Sequence, residues 1–253
     1  RDVLYHDHRR GCYLNGTILF FKQLERTMTS QPFTKDVVIS VRNLVKNFGS
    51  HRILNGITLD VHQGETLVVM GGSGCGKSTF LRHLIGSIRP DSGEVWMFGQ
   101  DIAKASEDQM DEIRKKYGML FQSGALFDSM TVGENIALPL REHTKLDDNI
   151  ISIIVKMKLE LVGLRGFEKL MPSQLSGGMK KRVGLARAIV MDPSIIFYDE
   201  PTAGLDPVMT GVIDKLTIDL TKKLNITSVV VTHDMGSVFR IADRIVMLHQ
   251  GNI

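Results

Sequence analysis

The stretch "VVMGGSGCGKSTF", Val68–Phe80, decides how the rest of the chain is read. A short apolar run leads in, glycines crowd the middle, and a helical pattern follows Lys77. Gly71-x-x-x-x-Gly76-Lys77-Ser78 in a strand–loop–helix setting is the Walker A pattern. Gly71, Gly72, Ser73, Gly74 and Gly76 leave the backbone free to wrap phosphates with its N–H groups. Lys77 supplies a cation for the β/γ oxygens, the Ser78 hydroxyl can ligate Mg²⁺, and Thr79 follows it into the helix. Cys75 reads as a small side chain that lets the loop bend. A nucleotide triphosphate and Mg²⁺ are the ligands this loop predicts.

Such a loop needs an acidic partner, and "SIIFYDEPTAGLDP", Ser194–Pro207, supplies one. Four apolar residues form a buried strand that ends in Asp199 and Glu200. A carboxylate at the end of a strand beside the phosphate loop can hold Mg²⁺, which is the role expected of Asp199. Glu200 is then placed to polarise an attacking water. Two further polar residues follow strands: Gln122 in "GMLFQSG", a candidate for sensing metal and water, and His233 in "SVVVTHDM", a candidate for reaching the γ-phosphate. The turn "KNFGSHRIL" carries Phe48, an aromatic able to stack on a base. The chain has no Asn-Lys-x-Asp guanine-reading motif, which disfavours GTP.

A second anion-site chemistry appears in "LSGGMKKRVGLARA", Leu175–Ala188. Ser176, Gly177 and Gly178 leave backbone N–H groups uncovered at the start of a helix, with Lys180, Lys181 and Arg182 in its first turns. One chain thus holds two partial grips on one kind of ligand.

Composition bounds the alternatives. The 253 residues are 43% hydrophobic and 23% charged, ordinary for a globular protein. A net charge of +3 with no long basic block gives no case for nucleic acid. Two cysteines make no disulfide framework. No apolar run is long enough to span a bilayer, and no signal peptide is visible. Strands are expected at Val37–Val41, Leu67–Met70, Val95–Phe98, Ile195–Tyr198, Thr227–Val231 and Arg244–Leu248, several of them β-branched runs buried on both faces. Helices dominate from Thr131 to Val190, and capping boxes begin at Ser106 and Thr131. Ile150, Ile153, Ile154, Met157 and Leu161 form a helical stripe expected to pack in the core. The pattern is α/β with a helical insertion. Residues 1–36 are expected to stand outside the fold: residue 1 is Arg, the first methionine is Met28, and residues 1–27 show no coherent period. "LHQGNI" reads as a turn entering a strand, so more chain is expected beyond Ile253.

Phe48, the Walker A loop, Gln122, the LSGG segment, the Asp199–Glu200 strand end, "AGLD" (Ala203–Asp206) and His233, in this order, resemble the ATP-binding-cassette ATPases. The resemblance covers residues 37–253, and Met179 departs from it where most cassettes carry Gln. It implies a P-loop, RecA-like α/β fold with a mainly parallel sheet, an antiparallel β part near the N-terminus, and a helical subdomain over about residues 123–190. It also implies ATP hydrolysis, with Glu200, His233 and Gln122 catalytic and Ser78, Gln122 and Asp199 on the metal. Cassettes of this family pair head to tail, so Ser176, Gly177 and Gly178 would serve ATP held by a second copy, and Asp206 is also expected among the nucleotide-binding residues. Two half-grips per chain then make two whole grips in a symmetric dimer.

"MLFQSGALFDSMTVGENIALPLREHT" and "LVGLRGFEKLMPSQLSGGMKKRVGLARAI" are similar to the ATPase subunits of Mla-type phospholipid-trafficking transporters, and Met179 fits that subfamily. This implies a peripheral position at the cytoplasmic face of the inner membrane, an integral-membrane permease partner and an MCE-domain lipid-binding protein. The alternatives are another cargo, such as amino acids or lipoproteins, or a soluble non-transport cassette. A single Walker A, a single LSGG and the lack of a heptad tract disfavour the last.

Overall fold

In the computed structural model, which describes Asp36–Ile253, two sheets and the helix after the phosphate loop share one core. The expectation for residues 1–36 falls almost wholly outside the described residues. The first sheet is antiparallel, order β2-β1-β4-β5: β1 (Val37–Phe48), β2 (His51–His62), β4 (Ser92–Met97) and β5 (Gln100–Asp101). The second is parallel, order β6-β7-β8-β3-β9: β3 (Thr66–Met70), β6 (Tyr117–Leu120), β7 (Ile195–Asp199), β8 (Thr227–Thr232) and β9 (Arg244–Met247). All six strands expected from sequence are present; β1 runs on past the expected Val41 to Phe48, and the other ends shift by a few residues at most. β2 was not foreseen, because "HRILNGITLDVH" mixes polar and apolar residues as a half-exposed strand does.

The parallel strands explain themselves. All residues of β3 and β8 are buried, as are Ile195–Tyr198 of β7. β-Branched side chains suit a pleated surface covered on both faces. β8 lies between β3 and β7, so the acidic strand is not the neighbour of the phosphate-loop strand. Register still aligns their ends: Met70 pairs with Thr232, and Val231 with Asp199.

Seven helices accompany the sheets among the described residues: α1 (Lys77–Leu84), α2 (Glu107–Arg114), α3 (Val132–His143), α4 (Asp148–Leu161), α5 (Gly177–Ala188), α6 (Pro207–Leu224) and α7 (Met235–Ile241). The boxes at Ser106 and Thr131 cap α2 and α3, each with Ser/Thr and Gln/Glu bonds reciprocated. α1 packs against β2, β7 and β8, and its Phe80, Leu81 and Leu84 join Ile39, Leu54, Leu67, Phe197 and Val229 in the core. Tyr117 meets Phe197 edge to face at 5.3 Å.

α3, α4 and α5 pack on one another, and here the apolar stripe of α4 turns out to face away. Ile150, Ile153, Met157 and Leu161 are 44–60% exposed and Ile154 is half-buried. The helix buries Ile151, Val155, Lys158 and Leu159 instead. Both faces are apolar, and the buried one includes a lysine, so periodicity alone selected the wrong side.

β6 lies close under the end of α5. A Cβ added at Gly118 would sit 2.1 Å from the Ala188 carbonyl oxygen. Backbone cannot give way as a side chain can, so Gly118→Ala is expected to destabilise the fold by about 1–3 kcal/mol. Urea unfolding of the two proteins side by side checks this.

Candidate functional site

The carboxyl edge of the parallel sheet gathers the predicted residues, as open α/β sheets do with their ligand sites. β3 runs into the phosphate loop, β7 ends at Asp199, β8 ends just before His233, and β6 ends two residues before Gln122.

In the loop, Gly71 tolerates no side chain: a Cβ would lie 2.3 Å from the Leu248 carbonyl oxygen and 2.6 Å from Cys75 Sγ. Gly76 adopts φ 106° before α1, a conformation closed to most residues with a Cβ. Lys77 is buried, and its Nζ donates to the carbonyls of Gly71 (2.8 Å) and Gly72 (3.0 Å). The ammonium is thus held over the loop. Gly74, Gly76, Lys77, Ser78 and Thr79 line one cleft with Ile53 and Phe48. Phe48 ends β1, is 50% exposed and carries the Lys46 ammonium 5.7 Å from its ring centre. An exposed aromatic and a phosphate-type loop therefore share one recess, as base and phosphate grips must.

Burial pushes the Asp199 carboxyl above the usual carboxylate range, and repulsion by Glu200 adds to this, while Arg82 and Lys77 pull it back. A carboxylate in this state is poorly compensated and suits a cation. The Ser78 hydroxyl and the Asp199 carboxylate are both oxygen donors, which Mg²⁺ prefers. No cluster of three or more His, Cys, Asp or Glu occurs among the described residues, so a Mg²⁺ ion would depend on phosphate oxygens for much of its shell. The linkage sign follows from the raised pKa. The native state keeps this proton longer than the unfolded chain, so stability falls as pH rises from the unfolded value of Asp towards the folded one. Asp199→Asn is therefore expected to raise the melting temperature at neutral pH without nucleotide, while weakening Mg²⁺-dependent nucleotide binding. Calorimetry with and without Mg²⁺-nucleotide reads both effects.

Glu200 has φ 48°, left-handed for a residue with a Cβ, at a cost on the order of 1–3 kcal/mol. Pro201 disfavours the right-handed helical region for it. Its N–H donates to the Val231 carbonyl (2.9 Å), and its carboxylate lies 2.9 Å from His233 Nδ1. An ionised Glu200 only accepts, which puts the ring proton on Nδ1. His233, expected to reach a γ-phosphate, is in this state a partner of Glu200. The two border a second recess with Thr202, Ala203, Gly204 and Asp234. Asp234 caps α7 through Gly236 and Ser237, and the buried Ser237 hydroxyl reaches Asp214, itself held by Arg240 Nε (2.7 Å). This network, which sequence reading did not find, pins the turn that bears His233.

Other predicted residues stand apart. Gln122 is exposed on the segment after β6. Asp206 caps α6, accepting from the N–H groups of Val208 (2.9 Å) and Met209 (3.0 Å). Ser176 caps α5, its Oγ accepting from Met179 N–H (3.3 Å). Ser176 and Gly177 are exposed, but Gly178 is buried against Met209. Two of the three basic residues after them are engaged with carbonyls of their own chain, contrary to the sequence reading. Lys181 donates to Ala203 O (2.6 Å), and Arg182 Nη1 to the Val162 and Gly163 carbonyls (both 3.2 Å) that end α4. A signal for Lys181 existed: it falls on the Gly178–Lys181–Leu185–Ala188 stripe that α5 buries.

A phosphate loop, an acidic strand end and a paired His–Glu on one sheet edge define a P-loop nucleotide-binding protein, and its family is clear. The ABC transporter profile matches residues 54–203, and the chain belongs to the ABC transporter ATPase family. It is 49% identical over 206 residues to the intermembrane phospholipid transport system ATP-binding protein MlaF of Haemophilus influenzae, covering 81% of this chain and 78% of that one. It is 48% identical over 217 residues to the probable ribonucleotide transport ATP-binding protein mkl of Mycobacterium leprae, covering 86% of this chain and 62% of that one. The chain thus spans less than two thirds of the mycobacterial relative's length. Among solved structures, the dimeric post-hydrolysis state of the ATP-binding cassette MJ0796 with ADP and Pi aligns with a TM-score of 0.78 at 31% identity, covering 85% of this chain and 96% of that one.

Proposed function

We propose that this chain hydrolyses ATP in a head-to-tail dimer and drives phospholipid movement between membranes of the cell envelope. Support for the chemistry is the Glu200–His233 pair on the same sheet edge as Lys77 and Asp199. The adenine stacks on Phe48, the phosphates lie in the loop from Gly71 to Thr79, and Lys77 shifts from the loop carbonyls to phosphate oxygens. Ser78, Asp199 and Gln122 would hold Mg²⁺, which would supply neutralisation of the phosphate charge. Glu200 takes a proton from the attacking water while His233 holds its carboxylate in place. Ser176, Gly177, Gly178 and Asp206 complete the site of the opposite copy.

The cargo reading rests on MlaF, whose length the chain covers further than it covers that of mkl. No helix among the described residues is long and apolar enough to cross a membrane, and the likeness to MlaF supports an integral-membrane permease as partner. Its coupling helix would enter the apolar groove after Gln122, lined by Phe121, Phe127, Leu138, Pro139 and Met191. An MCE-domain protein would carry the lipid, and the ATPase would sit at the cytoplasmic face of the inner membrane. Deleting the chain is expected to change the phospholipid distribution of the envelope. An unchanged distribution with loss of uptake of a soluble nutrient or ribonucleotide would replace this cargo with the other.

A further inference from the structure

Lys181 is 4% exposed, although lysine is among the residues least often buried. From the second turn of α5 its Nζ donates to Ala203 O (2.6 Å) and Glu200 O (3.4 Å). Those two carbonyls bracket the turn from Glu200 to Ala203, which is closed by the Ala203 N–H donating to Glu200 O (3.2 Å). The Glu200 carbonyl therefore accepts from both a backbone N–H and a buried cation. Burial pushes the Lys181 ammonium below its ordinary range, and the Glu200 carboxylate pulls it back up. An ammonium is buried at a cost that only well-placed acceptors offset. The acceptors here are the carbonyls at the two ends of the turn that starts at Glu200, a residue with a left-handed backbone ahead of a proline.

We propose that Lys181 is a positioning residue for hydrolysis: it clamps the turn that fixes the Glu200 carboxylate against His233, and it ties that turn to the helix that begins at the LSGG segment. The inference rests on Glu200 being the base proposed above. It has a consequence for the dimer. In the head-to-tail dimer proposed above, the N-terminus of α5 faces the other copy's nucleotide, and five residues after Ser176 the same helix holds the base of its own chain's site. Closure on the partner's ATP then acts on Glu200 through one rigid helical turn and one side chain.

Lys181→Met and Lys181→Arg in the full chain test this, with Glu200→Gln and the Lys181→Met/Glu200→Gln pair measured alongside. Lys181→Met is expected to lower kcat about tenfold or more while KM for ATP and affinity for a non-hydrolysable ATP analogue stay within about twofold. Lys181→Arg, which keeps the charge and the donors, is expected to recover a large part of kcat. In single-turnover measurements the double variant is expected to hydrolyse no more slowly than Glu200→Gln alone, since a residue acting through Glu200 has nothing left to position. Unchanged kcat in Lys181→Met, or a further loss on top of Glu200→Gln, overturns the inference and leaves the base in place. If Lys181→Met fails to fold, the case passes to Lys181→Arg and Lys181→Gln, and equal kcat in these two overturns it. Near-normal turnover in Glu200→Gln removes the base itself, and the clamp with it.

Discussion

Replacing Glu200 by Gln is expected to slow ATP turnover by about 10²–10⁴-fold, the usual worth of a general base, while ATP binding persists. The amide nearly matches the carboxylate in shape. Its oxygen can still accept from His233 Nδ1, so the 2.9 Å pair and the turn beneath it have no reason to collapse. What is lost is the ability to take a proton from water. The effect should therefore fall on kcat and not on binding of the ground state. Phosphate release measured together with equilibrium binding of nucleotide separates the two, and turnover near that of the unsubstituted protein would take Glu200 out of the mechanism. Lys77→Ala makes the contrast. Its ammonium already sits in the loop, on the Gly71 and Gly72 carbonyls, and its removal should weaken nucleotide binding itself.

A mixed dimer of Lys77→Ala and Ser176→Arg chains is expected to trap ATP at one of its two sites, where either parent dimer traps little. Both chains carry Glu200→Gln so that hydrolysis does not empty the site. Ser176 is exposed at the start of α5, and arginine there would block a ligand arriving from outside the chain. In each parent dimer every composite site has one lesion. In the mixed dimer one site collects both lesions, and the other joins an intact phosphate loop to an intact LSGG segment. If LSGG served its own chain's nucleotide, every site would still be damaged. Occlusion of labelled ATP no greater than in the parents would defeat the head-to-tail assembly.

The motifs were legible because each is contiguous. A phosphate loop needs glycines, a lysine and a hydroxyl within eight residues, and an acidic strand end announces itself by the apolar run before it. Where the chemistry is assembled from distant segments, the sequence was silent or misleading. Lys180, Lys181 and Arg182 look like anion ligands when read along the chain. In three dimensions Lys181 and Arg182 face carbonyls of β7's outgoing turn and of α4's end. Met179 stood out as a departure from most cassettes, but the described hydrogen bonds give it no role beyond donating to the Ser176 cap.

By itself the sequence determined the α/β class, the strands buried on both faces and the nucleotide chemistry, since β-branched runs and backbone-exposing glycines act locally. Only the tertiary structure decided the strand order, with β8 between β3 and β7, and so brought His233 onto Glu200. It also decided which apolar face of α4 is buried. Periodicity gives a helix its stripes, but packing against α3 and α5 chooses between two of them, and the choice depends on shape and on a place for Lys158 rather than on hydrophobicity alone.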